Sequence, residues 1–284
     1  MRSLRNIAKW AGAQRKNQPP LGWFKIFSIF FKILIKQNVK ITGELDYKKH
    51  RIIMEVNSYV QLNRLNACQK EPETIRWIEE NVRSGDVFYD VGANVGAYSF
   101  IAYAVTGGQS KIYAFEPSFA TFNALNQNIF LNGFQETIIP LQVALGDKTE
   151  LSPFGYFSIL PGATKQTIKK EQAQNSQPSQ AVFSQAVLSF RLDDLISYFG
   201  IKPPNHIKID VDGPELAVLR GAEDTLSSPS LETILVEVDT KLYPNNEIGG
   251  FLEKHGFALK AKYARGKKGS NYLFNCIFQK SSLG

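Results

Sequence analysis

Cysteine is nearly absent from this chain: Cys68 and Cys276 are the only two in 284 residues, far apart and without a His or Cys partner at metal-ligand spacing. That excludes a zinc finger or a disulfide framework and fits a reducing cytoplasm. Histidine is almost as scarce. His50 lies beside a turn, His206 precedes a strand and His255 ends a helix before Gly256, so all three are read as structural or solvated rather than as catalytic bases. No uninterrupted apolar run reaches the roughly 20 residues that a membrane-spanning helix needs. The best candidate, Leu21–Ile35, carries Lys25 and Lys32 and has no small-residue cleavage site after it, so neither a span nor a removable export signal is expected.

With 43% hydrophobic and 21% charged residues, the chain has the composition of a folded protein, and its length suits one large α/β domain with an appendage. The charge is unevenly placed. Residues 1–70 hold 14 Lys/Arg against 3 Asp/Glu, whereas the remainder holds 19 against 23. A basic arm favours an anionic partner such as a phospholipid surface, a phosphorylated substrate or RNA, or is simply a solvated face. Within it, Lys25, Ser28, Lys32 and Lys36 recur every three or four residues opposite Trp, Phe, Ile and Leu, which predicts an amphipathic helix over 23–36. Such a helix suits peripheral membrane contact through residues 21–36, or packing on the domain. Pro19-Pro20 separates it from any shorter helix in 3–16. Two alternating runs in 38–60 around Asp46–Lys49 predict a hairpin. The expected division is a basic extension over 1–70 and a main domain over 71–284.

In the main domain a helix is expected after Glu71-Pro72, closed by Ser84-Gly85-Asp86. Strand candidates follow at Val87–Val91, Lys111–Phe115, Ile138–Val143, His206–Asp210 and Thr233–Val238. Helical segments fall near 98–105, 119–131, 192–199 and 214–226. This alternation predicts a mostly parallel sheet with helices on both faces. Ala258–Tyr263 and Tyr272–Gln279, around a Gly-rich turn over 265–270, predict a terminal antiparallel hairpin. A second hairpin, Phe154–Leu160 with Ala181–Phe190, carries a polar insertion over 161–180, in which Lys165–Gln180 lacks any apolar period and is expected to be a mobile loop.

The chemistry concentrates in three places. Strand Val87–Val91 runs into Gly92-Ala93-Asn94-Val95-Gly96, where two glycines let the backbone approach a ligand before a helix begins. The order Gly-x-Asn-x-Gly with Asp90 before it is not the Gly-x-Gly-x-x-Gly of dinucleotide sites, and Asp90 is positioned to meet a cationic amino group. About 20 residues on, the next strand ends in Glu116-Pro117, where an acid can accept from both hydroxyls of a ribose. The third place is Ile207–Glu215, which brings Asp210, Asp212 and Glu215 to the rim of the sheet, outside the carboxyl ends of its strands, where ligands bind. Pro214 and Glu215 are also good first-turn residues, and the two readings of Glu215 weigh equally. A metal at Asp210, Glu237 and Asp239 is conceivable, but nothing in their spacing demands it, so none is expected.

Together, Asp90–Gly96, Phe115–Pro117, Asn128–Gly133, Arg191–Leu195 and Ile207–Ala222 resemble, in order, the FkbM family of methyltransferases, over roughly residues 70–280. The resemblance implies a Rossmann-like class I fold, with a seven-stranded sheet of order 3-2-1-4-5-7-6 whose strand 7 is antiparallel. It also implies S-adenosyl-L-methionine (SAM) as cofactor. Asp90, Gly92, Ala93, Asn94 and Gly96 would hold its methionine part, Glu116 with Pro117 the ribose end, residues near Ala144 the adenine, and Glu71 would close over the methionine. The chain departs from the family at Asp212, where Glu is usual, and in the polar insertion, which puts acceptor choice in doubt.

The expected reaction is O-methylation of a sugar or natural-product hydroxyl, with Asp210 as base or as orienting group and Asp212 or Glu215 assisting. An RNA methyltransferase is the competing enzyme, although the basic residues are not interleaved with an RNA-binding motif. A catalytically silent, membrane-associated binding module is the competing non-enzyme.

Overall fold

The computed structural model describes residues 23–164, 167–168, 181–265 and 272–281. The expected helix in 3–16 and most of the mobile loop in 165–180 lie outside the described residues. Two compact units divide at Ile41/Thr42. In the first, helix α1 (Trp23–Asn38) runs for 16 residues. Phe27 is 68% exposed and Ile29 and Phe31 more than half exposed, alongside exposed Lys25 and Lys32. No helix among the described residues is long and apolar enough to cross a membrane.

The second unit begins with the hairpin β1 (Thr42–Glu44) and β2 (Ile53–Glu55). Leu45 and Ile52 beside its strands and Met54 within β2 are buried in the main core. The backbone N–H of Ile53 donates to Asn132 Oδ1 at 2.9 Å and that of Glu55 to Asn128 Oδ1 at 2.7 Å. The hairpin is therefore part of the larger unit, and the division falls before it rather than at residue 70. Short helices α2 (Tyr59–Arg64) and α3 (Ala67–Lys70) lead to α4 (Pro72–Asn81), which has proline in its first turn.

The main sheet contains β3 (Val87–Val91), β4 (Lys111–Phe115), β5 (Ile138–Leu141), β10 (His206–Ile209), β11 (Thr233–Asp239), β12 (Phe257–Ala264) and β13 (Leu273–Lys280). Their spatial order is β5-β4-β3-β10-β11-β13-β12, with β13 antiparallel to both neighbours. This is the expected order 3-2-1-4-5-7-6. Side chains divide between the faces with the strand period of two. Phe88 joins a core with α4, α5 (Ala97–Thr106) and α6 (Phe119–Asn132), while Tyr89 and Val91 join another with α7 (Leu192–Phe199), α8 (Glu215–Arg220), α9 (Glu223–Ser227) and α10 (Glu247–Lys254). Pro140 is tolerated because β5 lies at the sheet edge.

Three expectations need correction. The strand expected over 138–143 stops at Leu141, after which β6 (Ala144–Leu145) pairs with a different sheet. The simple hairpin is a four-stranded sheet of order β6-β9-β7-β8, built from β6, β7 (Glu150–Tyr156), β8 (Thr167–Ile168) and β9 (Phe183–Phe190). The single helix expected over 214–226 breaks at Gly221, whose carbonyl accepts from Asp193 N at 3.0 Å and where a Cβ would lie 2.0 Å from the Gly146 oxygen.

Candidate active site

Buried strand β3 delivers the chain to a turn tied to its neighbour β4. The N–H groups of Gly92 and Ala93 both donate to Phe115 O, at 3.0 and 2.9 Å. Gly92 has φ +79°, and a Cβ there would stand 1.9 Å from the carbonyl oxygen of Asp210, so only glycine lets β3 and the end of β10 come this close. Asn94 follows in the left-handed region at φ 52°, and its N–H donates to Glu116 Oε2 at 3.0 Å. The other oxygen, Oε1, accepts from Ser118 N at 2.9 Å. Burial pushes the Glu116 carboxyl up to about 7, against the lowering pull of these two backbone donors.

Two solvent-open clefts meet at Gly92, Asn94, Asp210 and Asp212. One, of about 600 Å³, is lined by Glu116 and Pro117 and by an apolar slot of Val143, Ala144, Leu145 and Phe154. The other, of about 640 Å³, holds Arg64, Lys70, Glu71, Ala93, Tyr98, Lys208 and Arg265. An apolar slot beside a carboxylate presented by fixed backbone donors fits a nucleoside: a flat base in the slot and a diol on Glu116.

Asp90 and Gly96 line neither cleft. Asp90 is fully buried: Oδ2 accepts from Ser99 N at 3.1 Å and Ser99 Oγ at 2.7 Å, and Oδ1 from Lys208 Nζ at 3.2 Å. The cation that Asp90 meets is therefore Lys208, directly opposite it in the β3–β10 register. Gly96, at φ +99°, leaves room for Phe100 and Leu125.

Lys208 also lies 3.6 Å from Asp210 and 4.9 Å from the Tyr98 ring centroid. Burial alone would lower its pKa, but Asp90 and Asp210 more than reverse that and keep the ammonium charged. Burial would likewise raise Asp210, yet Lys208 and then Arg265 hold it below the ordinary carboxylate range. Asp210 is thus an ionised acceptor of hydrogen bonds and a weak base. Asp212, at φ 58°, borders both clefts. Glu215 borders neither: its Oε1 accepts from Gly213 N at 2.9 Å, which favours the structural of its two readings, and burial pushes its carboxyl up to about 7.

Arg265, at the end of β12, pairs with Glu71 and Glu237 and lies 3.9 Å from Asp210. Burial, with Asp210 adding, raises Glu237 to about 9 against the lowering pull of Arg265. Asp239 instead accepts from Lys241 N at 2.8 Å. His206, fully buried, bonds Thr233 and Asp86, at the end of β10 away from the clefts. Sequence reasoning assigned no role to Lys208, Arg265, Arg64 or Tyr98. For Lys208 there was a signal, since a lysine two residues before Asp210 in an apolar strand must share its face.

The strand order and the glycine turn after the first strand define a Rossmann-like class I methyltransferase fold. A family model described as the methyltransferase FkbM domain matches residues 90–259, more than half of the chain. The chain is 27% identical over 191 residues to the hexuronic acid methyltransferase AglP of Haloferax volcanii, covering 67% of this chain and 72% of that protein. It is 26% identical over 204 residues to the 31-O-demethyl-FK506 methyltransferase FkbM of Streptomyces tacrolimicus, covering 64% and 76%. Among solved structures, the methyltransferase FkbM of Methylobacillus flagellatus KT superposes with a TM-score of 0.47 at 14% identity, over 79% of this chain and 56% of that one. The chain belongs to the FkbM family of methyltransferases, and membership implies SAM as methyl donor.

Proposed function

We propose that this methyltransferase moves a methyl group from SAM to a hydroxyl of a sugar or natural-product scaffold. The observation that carries the reading is the junction of the two clefts, with Glu116 and the apolar slot on one side and Asp210 and Asp212 on the other. SAM supplies a methyl already activated on a sulfonium. The chain's part is then binding, alignment and handling of one proton. Glu116 accepts from the ribose hydroxyls, with Pro117 and Ala144 walling the base. Gly92, Ala93 and Asn94 present backbone to the methionine portion, near Glu71. Asp90 and Gly96 act from beneath the turn, by bracing it. Asp210, ionised and held by Lys208, orients the acceptor hydroxyl, with Asp212 beside it. The names of two relatives, a hexuronic acid methyltransferase and a 31-O-demethyl-FK506 methyltransferase, support an oxygen acceptor.

Calorimetric titration with S-adenosylhomocysteine tests the site, and methyl transfer to a panel of glycosides and uronides, read by mass spectrometry, tests the reaction. Binding weakened by Glu116→Ala together with a methylated hydroxyl is the expected result. Binding without transfer to any hydroxyl would favour the silent binding module instead, and salt-sensitive retention of RNA the RNA methyltransferase.

A second observation concerns α1. Exposed Phe27, Ile29 and Phe31 beside Lys25 and Lys32 support peripheral contact with an anionic bilayer surface.

A further inference from the structure

The cations of the second cleft fall into two kinds. Lys208 and Arg265 are each matched by carboxylates: Asp90 and Asp210 for the first, Glu71, Glu237 and Asp210 for the second. Arg64 and Lys70 are not. Among the described residues neither has a carboxylate within ion-pairing distance. Half-buried Arg64 gives Nε and Nη2 to the carbonyl oxygen of Gly162, at 3.3 and 2.9 Å, which fixes the guanidinium plane and leaves Nη1 without a hydrogen bond among the described residues. Lys70 forms no side-chain hydrogen bond among the described residues, and burial followed by the field of Arg64 lowers its pKa.

We infer that Arg64 and Lys70 form a carboxylate-recognition site at the mouth of the second cleft. A fixed guanidinium edge suits the planar fork of a carboxylate, and a monoanion suits the pair better than a phosphate, whose second charge would face Glu71, Asp210 and Asp212 of the same cleft. The carboxylate has two possible sources, the amino-acid end of the cofactor or a uronic acid acceptor. The inference rests on the proposed methyl transfer, because that reading puts both molecules in this cleft.

Two matched ligand pairs separate the sources. S-adenosylhomocysteine is titrated against its decarboxylated analogue, 5′-(3-aminopropylthio)-5′-deoxyadenosine. Methyl β-D-glucuronide is titrated against methyl β-D-glucoside, on protein saturated with S-adenosylhomocysteine. Wild type is expected to prefer the carboxylate member of at least one pair by about tenfold or more, and Arg64→Gln/Lys70→Gln to abolish that preference. Loss in the nucleoside pair assigns the site to the cofactor, and loss in the glycoside pair assigns it to the acceptor. Because Arg64 also holds Gly162, Lys70→Gln alone, with an unchanged thermal midpoint, is expected to lose part of the same preference. A wild type that binds S-adenosylhomocysteine but shows no preference in either pair overturns the inference, as does a preference that survives in the double variant. Failure of the underlying reading has a separate signature, the absence of S-adenosylhomocysteine binding by the wild type.

Discussion

At Glu116, two backbone donors and near-complete burial act in opposite directions, and burial is the larger, so its carboxyl titrates at about 7. A ribose diol donates best to the ionised form. S-adenosylhomocysteine affinity should therefore rise between about pH 6 and 8 and level off above. Glu116→Gln should bind about 10–100-fold more weakly at pH 8, the cost of one charge-assisted hydrogen bond, and should lose the pH dependence. Calorimetry across that range checks both. Gly92 and Gly107 make a second comparison. Both have positive φ, but a Cβ at Gly107 meets nothing within 4 Å, whereas one at Gly92 would collide with the Asp210 carbonyl. Gly107→Ala should cost about 1–2 kcal/mol, the left-handed penalty alone, and Gly92→Ala clearly more, as read from urea midpoints.

Among the elements, α1 belongs to its own compact unit. Deleting residues 1–41 should leave the thermal midpoint of the remaining chain unchanged and abolish sedimentation with phosphatidylserine vesicles, while removing phosphatidylserine should weaken binding of the full chain. The parallel elements were legible because each leaves a local pattern. Strand β3 and helix α7 end where the sequence places them, since a run of alternating core residues and a closing Gly92 or Gly200 mark their limits. Strand β6 was not legible, because two residues carry no period and its partner Ser189-Phe190 lies far along the chain. The site divided in the same way. Glu116, Asn94 and Asp210 sit in local motifs, but the Lys208–Asp90 contact spans 118 residues and Arg265–Glu71 spans 194, and no window of sequence contains either.

At the scale of the whole molecule, burial leaves three acids among the described residues with raised carboxyls: Glu116 and Glu215 at about 7 and Glu237 at about 9, from an ordinary 4.5. The folded chain keeps protons there that the unfolded chain has already released, so stability declines as pH rises from about 5 towards 9. Asp210 acts oppositely, and its stabilising contribution disappears only as pH falls through and below its ordinary 3.8. Urea midpoints should therefore be highest near about pH 5. Glu215→Gln, which keeps the acceptor for Gly213 N, should raise the midpoint at pH 8 and leave it unchanged at pH 4. Lys208→Met should cost about 3–5 kcal/mol by leaving Asp90 buried without its cation, and adding Asp90→Asn should recover part of that loss. The same arithmetic reaches beyond one chain. A lineage that loses the lysine first carries a stranded buried charge, and one that loses the aspartate first carries the opposite charge, so either path crosses a poorly folding intermediate. Across homologues, positions 90 and 208 should change together or not at all.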